Sequence, residues 1–290
     1  MFRALLPARQ LAQDVSEYIV TEFAFTSERF LRPNVLCFLI GNDAVSIDGK
    51  PPPGKILGNS FASLPQEYEK RDGTVILVQF LGGAWSRLLG IDPAMFESIM
   101  PLDDEHCEGL EALYADLREA DGDYPRIAAL LDTFLLARLE TAPPRGLPER
   151  VRAEIGKDID CPIAAIATSL GVSERTIQRS FRARFGVSPS RFKRYVRLVR
   201  SQNQGRGLDI SWLNVPPELN YADQSHWIKE FKKLQGITPS EYTRLSMGDW
   251  HYHSRGEAEA RSIDDPQLRE QWREYWLAGQ ADHDLALTNF

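Results

Sequence analysis

The sequence is poor in the residues from which most metal and redox sites are built. Its 290 residues include three cysteines, Cys37, Cys107 and Cys161, which are far apart and form no Cys-x-x-Cys pair. Neither a disulfide framework nor a zinc site is expected, and reduced cysteines fit a cytoplasmic protein. None of the five histidines precedes His106, although a divalent metal needs three or four converging ligands. We therefore expect no bound metal and no other cofactor.

Long apolar segments and the motifs of common enzyme classes are also missing. Residues 1–10 contain too short an apolar run for a signal peptide. No stretch of the sequence approaches the roughly 20 apolar residues of a membrane span. No Gly-x-Ser-x-Gly, P-loop or Gly-x-Gly-x-x-Gly motif occurs either. The sequence thus predicts a protein that neither crosses a membrane nor catalyses a reaction.

A net positive charge is found in only one part of the chain. The formal net charge is −7, which is unusual for a protein that binds nucleic acid. Residues 1–149 carry 13 basic and 23 acidic side chains, residues 150–245 carry 17 and 9, and residues 246–290 carry 4 and 9. Segment 150–245 is therefore the only basic one, as contact with phosphates requires. A chain of this length is expected to form two domains.

The middle of the basic segment has the pattern of two short helices joined by a tight turn. Residues 163–170 place apolar side chains at positions i, i+3, i+4 and i+7, which is one face of a helix. Gly171 suits a turn that needs positive φ, and the side-chain oxygen of Ser173 can cap the following helix.

The second helix of this pair has two contrasting faces. Ile177, Phe181 and Phe185 recur every four residues and are expected to be buried. The side chains predicted to face DNA are Ser173, Arg175, Thr176, Gln178, Arg179 and Arg182. Arginine pairs with guanine O6 and N7, and glutamine with adenine N6 and N7. This layout is typical of a helix-turn-helix unit; a two-helix corner of an enzyme with a solvated basic face is the alternative that this window leaves open.

The pattern occurs twice. The residues FR…GVSPS…F at 181–192 recur fifty positions later as FK…GITPS…Y at 231–242. Each glycine is expected to end a helix and each Ser/Thr-Pro pair to start the next one, with Thr238 and Glu241 forming a capping box. The predicted DNA-facing set of the second copy is Ser225, His226, Lys229 and Lys233. Two such units can enter major-groove segments about 34 Å apart.

The tandem arrangement resembles the DNA-binding module of the AraC/XylS transcription regulators. The resemblance covers about residues 148–245, and the Gly236-Ile237-Thr238-Pro239 ending after a basic helix is its most specific part. It implies that both units bind adjacent major grooves of double-stranded DNA. It also implies a separate N-terminal domain, commonly a cupin-like barrel, that senses a ligand or mediates dimerisation.

The second unit departs from the family pattern. Its first helix would span residues 212–219 and would contain Pro216-Pro217, although an interior proline costs a helix about 3 kcal/mol. Residues 201–207 are polar, so the helix that starts at Ser188-Pro189 and connects the two units is expected to end near Asn203. We therefore predict that the first unit supplies most base contacts and the second mainly phosphate contacts.

Residues 1–100 are predicted to form short strands. β-rich runs occupy residues 35–40 and 75–80, shorter candidates lie at 44–47 and 55–57, and turn residues separate them. This spacing favours a small antiparallel barrel or sandwich.

Two helices and a linker follow these strands. Leu110, Leu113 and Leu117 mark one apolar stripe, and a second stripe runs through residues 127–139 after a helix start at Pro125. The stripes pack on the barrel, or part of the second forms a dimer contact, as the resemblance implies. Residues 141–146, TAPPRG, have the composition of a linker.

The last 45 residues lie beyond the usual end of the family module. Trp272 and Trp276 belong to a candidate amphipathic helix, which would dock on the protein's own surface or on a protein partner. Asp249 with His251 and His253 is a weak pattern for a metal site.

Together these features predict an α+β protein. Residues 1–140 form a cupin-like antiparallel β-barrel with helices, 141–147 a linker, 148–245 an all-α AraC-type DNA-binding domain with two helix-turn-helix units, and 246–290 a tail. The predicted function is that of a sequence-specific transcription regulator, either activator or repressor. RNA polymerase, a small-molecule effector and a second copy of the chain are further candidate partners. The alternatives are a regulator with a degenerate second unit that acts by protein–protein contact, and a barrel enzyme fused to a DNA module.

Overall fold

A computed structural model describes residues 2–22, 26–30, 34–41, 45–63, 66–70, 73–204 and 223–241 of the chain. The N-terminal part combines antiparallel strands with two helices, and the C-terminal part is helical. This agrees with the predicted α+β class. Within the described residues, every helix is too short or too polar to span a lipid bilayer.

The strands form two antiparallel sheets. The larger sheet has the order β1-β2-β8-β4-β6-β9 and the smaller has the order β3-β7-β5. The strands are β1 (Phe2–Leu5), β2 (Val15–Glu22), β3 (Thr26–Phe30), β4 (Val35–Ile40), β5 (Val45–Ile47), β6 (Ile56–Gly58), β7 (Gln66–Lys70), β8 (Thr74–Phe80) and β9 (Met100–Pro101). All four strands predicted from the sequence are present, with β6 displaced by one residue. Strands β1, β2, β3, β7 and β9 were not predicted.

The central strand β4 is buried on both faces. Leu36, Phe38 and Ile40 belong to the main hydrophobic cluster together with residues of the two following helices. Alternate residues, including Val35 and Leu39, belong to a second cluster that contains Val45 and Ile47 of β5. The larger sheet therefore packs against helices on one face and against the smaller sheet on the other, because successive side chains of a strand point to opposite faces.

Helices α1 (Leu110–Glu119) and α2 (Tyr124–Thr141) cover the larger sheet. The predicted stripe Leu110, Leu113 and Leu117 is buried in the main cluster, as are Ile127, Leu131 and Leu135 of α2. Asp123 caps α2, since its side chain accepts a hydrogen bond from Arg126 N at 3.1 Å. Most of the two stripes thus packs on the sheet, as predicted.

The predicted linker is fastened to the N-terminal part. Arg87, on a π-helical turn at Trp85–Leu89, donates from Nε to Pro143 O at 3.0 Å and from Nη1 to Asp14 Oδ2 at 2.8 Å. Arg145 also donates to Asp14 Oδ2, at 2.5 Å. Burial raises the pKa of the Asp14 carboxyl, and the positive charges of Arg145 and Arg87 act against this shift.

Five further helices make up the C-terminal part. They are α3 (Leu147–Lys157), α4 (Ile163–Leu170), α5 (Glu174–Phe185), α6 (Pro189–Gln204) and α7 (Gln224–Gln235). The predicted end of the connecting helix near Asn203 falls in the last described turn of α6. Two segments for which the sequence predicts features lie outside the described residues. They are residues 205–222, which include Pro216-Pro217, and the tail, which includes Trp272, Trp276, His251 and His253.

Candidate nucleic-acid interface

The first helix-turn-helix unit consists of α4 and α5 and has a well-packed core. Ile177, Phe181 and Phe185 of α5 are at most 1% exposed and contact Ile166 and Ala167 of α4 within one hydrophobic cluster. Val151 and Ile155 of α3 complete this side of the cluster. The predicted inward face is therefore confirmed, and it fixes which side of α5 points away from the protein.

The turn between α4 and α5 has the predicted geometry. Gly171 ends α4 with φ +67° and ψ 32°, a left-handed conformation that costs other residues energy. Ser173 then caps α5, because its Oγ accepts a hydrogen bond from Thr176 N at 3.1 Å. The cap and the turn set the angle at which α5 leaves α4.

The outer face of α5 presents the predicted arginines to solvent. Ser173, Arg175, Arg179 and Arg182 are exposed, and Thr176 and Gln178 are half-buried between them. No hydrogen bond or ion pair joins the side chain of any of the three arginines to another described residue. The guanidinium groups thus form an unneutralised ridge that is free to bind an anionic ligand.

The second recognition helix, α7, repeats this division of faces. Trp227, Phe231 and Leu234 are buried, and Asp223 caps the helix by accepting from His226 N at 2.7 Å. The predicted DNA-facing residues Ser225, His226, Lys229 and Lys233 are all exposed, as are Gln224 and Lys232. The helix before α7 in this unit would lie among residues 212–219, outside the described residues.

The predicted capping box after α7 is present. Thr238 N donates to Glu241 Oε2 at 2.8 Å, and Glu241 N donates to Thr238 Oγ1 at 3.2 Å. Gly236 ends α7 with φ +75°, as Gly186 ends α5 with φ +73°. The second copy of the repeat therefore starts its last helix as the sequence predicts.

The spacing of the basic side chains along α6 predicts that they stay outside the core, and none of the three is fully buried. Arg191, Arg194 and Arg197 are half-buried. Arg194 forms an ion pair with Glu230 of α7 (3.7 Å), and Arg197 forms one with Asp160 (2.8 Å). Burial lowers the pKa of Arg191, with a smaller effect of Arg194 in the same direction. Arg194 and Arg197 connect helices to one another, so they do not extend the exposed ridge.

Lys193 is also occupied within the protein. Its Nζ donates to Cys161 O at 2.8 Å. Burial lowers the pKa of this ammonium group, and Arg197 lowers it further. Among the side chains of α5, α6 and α7 that the structure describes, the exposed cations that suit a phosphate backbone therefore lie on α5 and α7.

Arg184 lies on α5 but was not among the predicted residues. It points away from the exposed ridge, and its Nε lies 3.1 Å from Glu149 Oε1. Its Nη1 donates to Ser86 Oγ at 3.3 Å. Sequence spacing separates Arg184 from the ridge formed by Arg175, Arg179 and Arg182, but gives no indication of its partners.

Among the described residues, no group of three His, Cys, Asp or Glu side chains is placed to hold a metal ion.

Comparison with known proteins identifies the helical segment. Residues 166–245 match the family model described as a helix-turn-helix domain. The chain is 24% identical over 102 residues to the HTH-type transcriptional activators RhaR of Salmonella arizonae and Salmonella typhimurium. The aligned part is 34% of this chain and 36% of each relative, so the chain matches about a third of their length.

Two crystal structures of ToxT from Vibrio cholerae are similar to larger parts of the chain. The apo form of a lysine-to-alanine variant gives a TM-score of 0.45 at 12% identity and covers 79% of this chain and 97% of its own. A second structure, at 1.65 Å resolution, gives a TM-score of 0.45 at 14% identity and covers 80% and 98%.

The packed helices, the capped turn and the exposed arginines of α5 define a DNA-binding domain of the helix-turn-helix class. The match over residues 166–245 and the similarity to the RhaR activators support the resemblance to the AraC/XylS regulators that the repeated motif predicts. The matched family and the relatives named above are transcription regulators rather than enzymes.

Proposed function

We propose that the protein is a sequence-specific transcription regulator that binds double-stranded DNA mainly through α5. The observation that carries this proposal is the ridge of Arg175, Arg179 and Arg182, which is exposed and forms no ion pair with another described residue. Unneutralised guanidinium groups beside Gln178 suit the major groove, where arginine pairs with guanine and glutamine with adenine. Ser173 and Thr176, at the start of the helix, are suited to contact phosphates.

The second unit has a supporting role in this proposal. Ser225, His226, Lys229 and Lys233 of α7 form a basic surface with no arginine. Lysine binds as a point charge and lacks the fork that pairs bidentately with a base. We therefore propose that α7 supplies mainly phosphate contacts, while α5 distinguishes one site from another.

The N-terminal part has a sensor or dimerisation role in this proposal. Residues 1–140 would form this domain, 141–147 the linker, 148–245 the DNA-binding domain and 246–290 a tail. Support comes from the two antiparallel sheets of the N-terminal part, which are compatible with a cupin-like barrel, and from the resemblance to the AraC/XylS regulators. A small-molecule effector, RNA polymerase and a second copy of the chain are the partners such a regulator would use, and it would work in the cytoplasm, where its DNA is.

Electrophoretic mobility shifts with the full chain and genomic fragments test the function. The regulator is expected to retain one fragment against excess competitor DNA. Its affinity should fall steeply between about 50 and 200 mM salt, because each phosphate contact releases counterions.

The alternative is a regulator that acts by protein–protein contact through a degenerate second unit. Pro216-Pro217 in the second unit favours it. Such a protein would give neither a fragment-specific band nor a steep dependence on salt.

A further inference from the structure

The N-terminal part reaches into the core of the first helix-turn-helix unit. Phe61, from the loop after β6, is 3% exposed and belongs to the same hydrophobic cluster as Phe181 and Phe185 of α5. Its ring meets Phe192 of α6 edge to face, with centroids 5.2 Å apart, and Tyr195 at 5.3 Å. A single aromatic side chain from outside the DNA-binding domain thus fills part of that domain's core.

The C-terminal end of α5 is held by a second set of contacts. Ser86 Oγ donates to Arg184 O at 3.3 Å and also accepts from Arg184 Nη1. On the other side, the guanidinium of Arg184 lies against Glu149 of α3 with its side chain 17% exposed. Arg184 therefore joins three elements, of which only α5 belongs to the DNA-binding surface.

The two surfaces approach too closely for extra atoms. A Cβ built on Gly82 would overlap Phe185 Cε1, and one built on Gly186 would lie 2.8 Å from Pro93 O. Contacts this close leave no space for water, so the interface is packed like a protein interior.

We propose that the N-terminal part is a structural component of the first DNA-reading unit, which it holds through Phe61 and Arg184. Arg184 is then a positioning residue: it holds α5 by one end and makes no contact with DNA. The ridge of Arg175, Arg179 and Arg182 points away from this interface, so the docked arrangement leaves it accessible. α5 presents the ridge in this orientation only while the N-terminal part stays in place. The effect on DNA binding rests on the function proposed above, whereas the packing of α5 against the N-terminal part does not.

Hydrogen–deuterium exchange of the full chain tests the structural part without DNA. Gly82→Ala should wedge the interface open and accelerate exchange of the amides of residues 174–185 by about tenfold or more, as expected when a helix loses a packing partner. Gly146→Ala is the matched control, since a Cβ there would meet only Pro148 Cδ, at 3.9 Å. Wild-type exchange in the Gly82→Ala protein would overturn the proposal.

Arg184→Met opens the same interface from the helix side and keeps an apolar stem in place. With the cognate fragment, Arg184→Met should weaken binding by about tenfold. The slope of log affinity against log salt concentration should stay unchanged, because Arg184 makes no phosphate contact, and loss of such a contact would lower that slope by about 1. Lys229→Ala, which removes a proposed phosphate contact of α7, should lower that slope. A lower slope for Arg184→Met would place Arg184 on the DNA and overturn its positioning role. If the wild-type chain binds no fragment specifically while Gly82→Ala still accelerates exchange, the proposed function fails and the interface remains.

Discussion

The rings of Phe181 and Phe185 stack in parallel on α5, with centroids 4.1 Å apart and planes 4° from parallel. Both rings also meet Phe192 at 5.4 Å. We expect Phe181→Ala to lower the free energy of unfolding by ~3–5 kcal/mol, because it removes buried surface and leaves a cavity among aromatic rings. Urea unfolding followed by circular dichroism measures the change.

Arg182→Ala, next to Phe181 in sequence but exposed, is the control for this prediction. Surface substitutions usually stay within about 0.5 kcal/mol, whereas loss of Arg182 should still weaken DNA binding. The two variants thus distinguish weaker DNA binding caused by an unstable α5 from weaker DNA binding caused by the loss of one DNA contact. Equal unfolding free energies for both variants would show that the aromatic stack does not stabilise the protein.

The two recognition helices should differ in what they contribute to binding. Arg179→Ala is expected to cost ~1–3 kcal/mol on the cognate fragment, or about 5–150-fold in Kd, and to leave binding to unrelated DNA much less affected. Lys229→Ala should weaken binding to all sequences similarly and lower the salt slope by about 1. Fluorescence anisotropy with cognate and scrambled duplexes measures both. A larger specific loss for Lys229→Ala would reverse the order of the two units.

The helical units were predictable because local signals decide them. The four-residue spacing of Ile177, Phe181 and Phe185 defines the buried face of α5, and the cap at Ser173 and the turn at Gly171 follow from residue chemistry. The opposite face of α5 must then be exposed, so the surface position of its arginines was predictable as well.

The contacts between distant segments were not predictable in the same way. Ser86 and Arg184 are 98 positions apart, and each has an ordinary local interpretation, as a loop serine and as a surface cation. Phe61 follows a short strand within a run of small and polar residues, and nothing in the sequence indicates that its ring enters the core of a helical unit more than 100 positions away. Strand β2 was missed because VSEYIVTE mixes polar and apolar residues without turn signals on both sides, although Tyr18 and Val20 are buried.

Asp14 and Asp103 should titrate on opposite sides of the ordinary aspartate pKa. Burial raises the pKa of Asp14, whereas the hydrogen bond from His106, with Nδ1 2.6 Å from Asp103 Oδ1, lowers the pKa of Asp103. Side-chain carbon chemical shifts recorded against pH should therefore give a midpoint above 3.8 for Asp14 and below 3.8 for Asp103.

The two groups then affect stability with opposite signs. The folded state holds the Asp14 proton more tightly than the unfolded chain. The stability that this proton contributes is therefore fully present below the pKa of Asp14 in the unfolded chain, and it is lost as the pH rises through the pKa of Asp14 in the folded protein. The stability contributed by the ionised Asp103 is present above the pKa of this group in the unfolded chain. It is lost as the pH falls through the pKa of Asp103 in the folded protein. A midpoint for Asp14 below that of Asp103 would mean that Arg87 and Arg145 outweigh burial.

Gly171→Ala should destabilise the first helix-turn-helix unit through the backbone alone. A Cβ at this position would meet no atom within 4 Å, while φ is +67°, so only the left-handed conformation opposes the substitution. That conformation costs an L-residue about 1–2 kcal/mol, and we expect a loss of this size in urea unfolding. Gly171→Asn should lose less, since asparagine tolerates the left-handed region better than most residues. If alanine and asparagine cost the same, the turn relaxes to another geometry, and the angle between α4 and α5 would no longer be set by this residue.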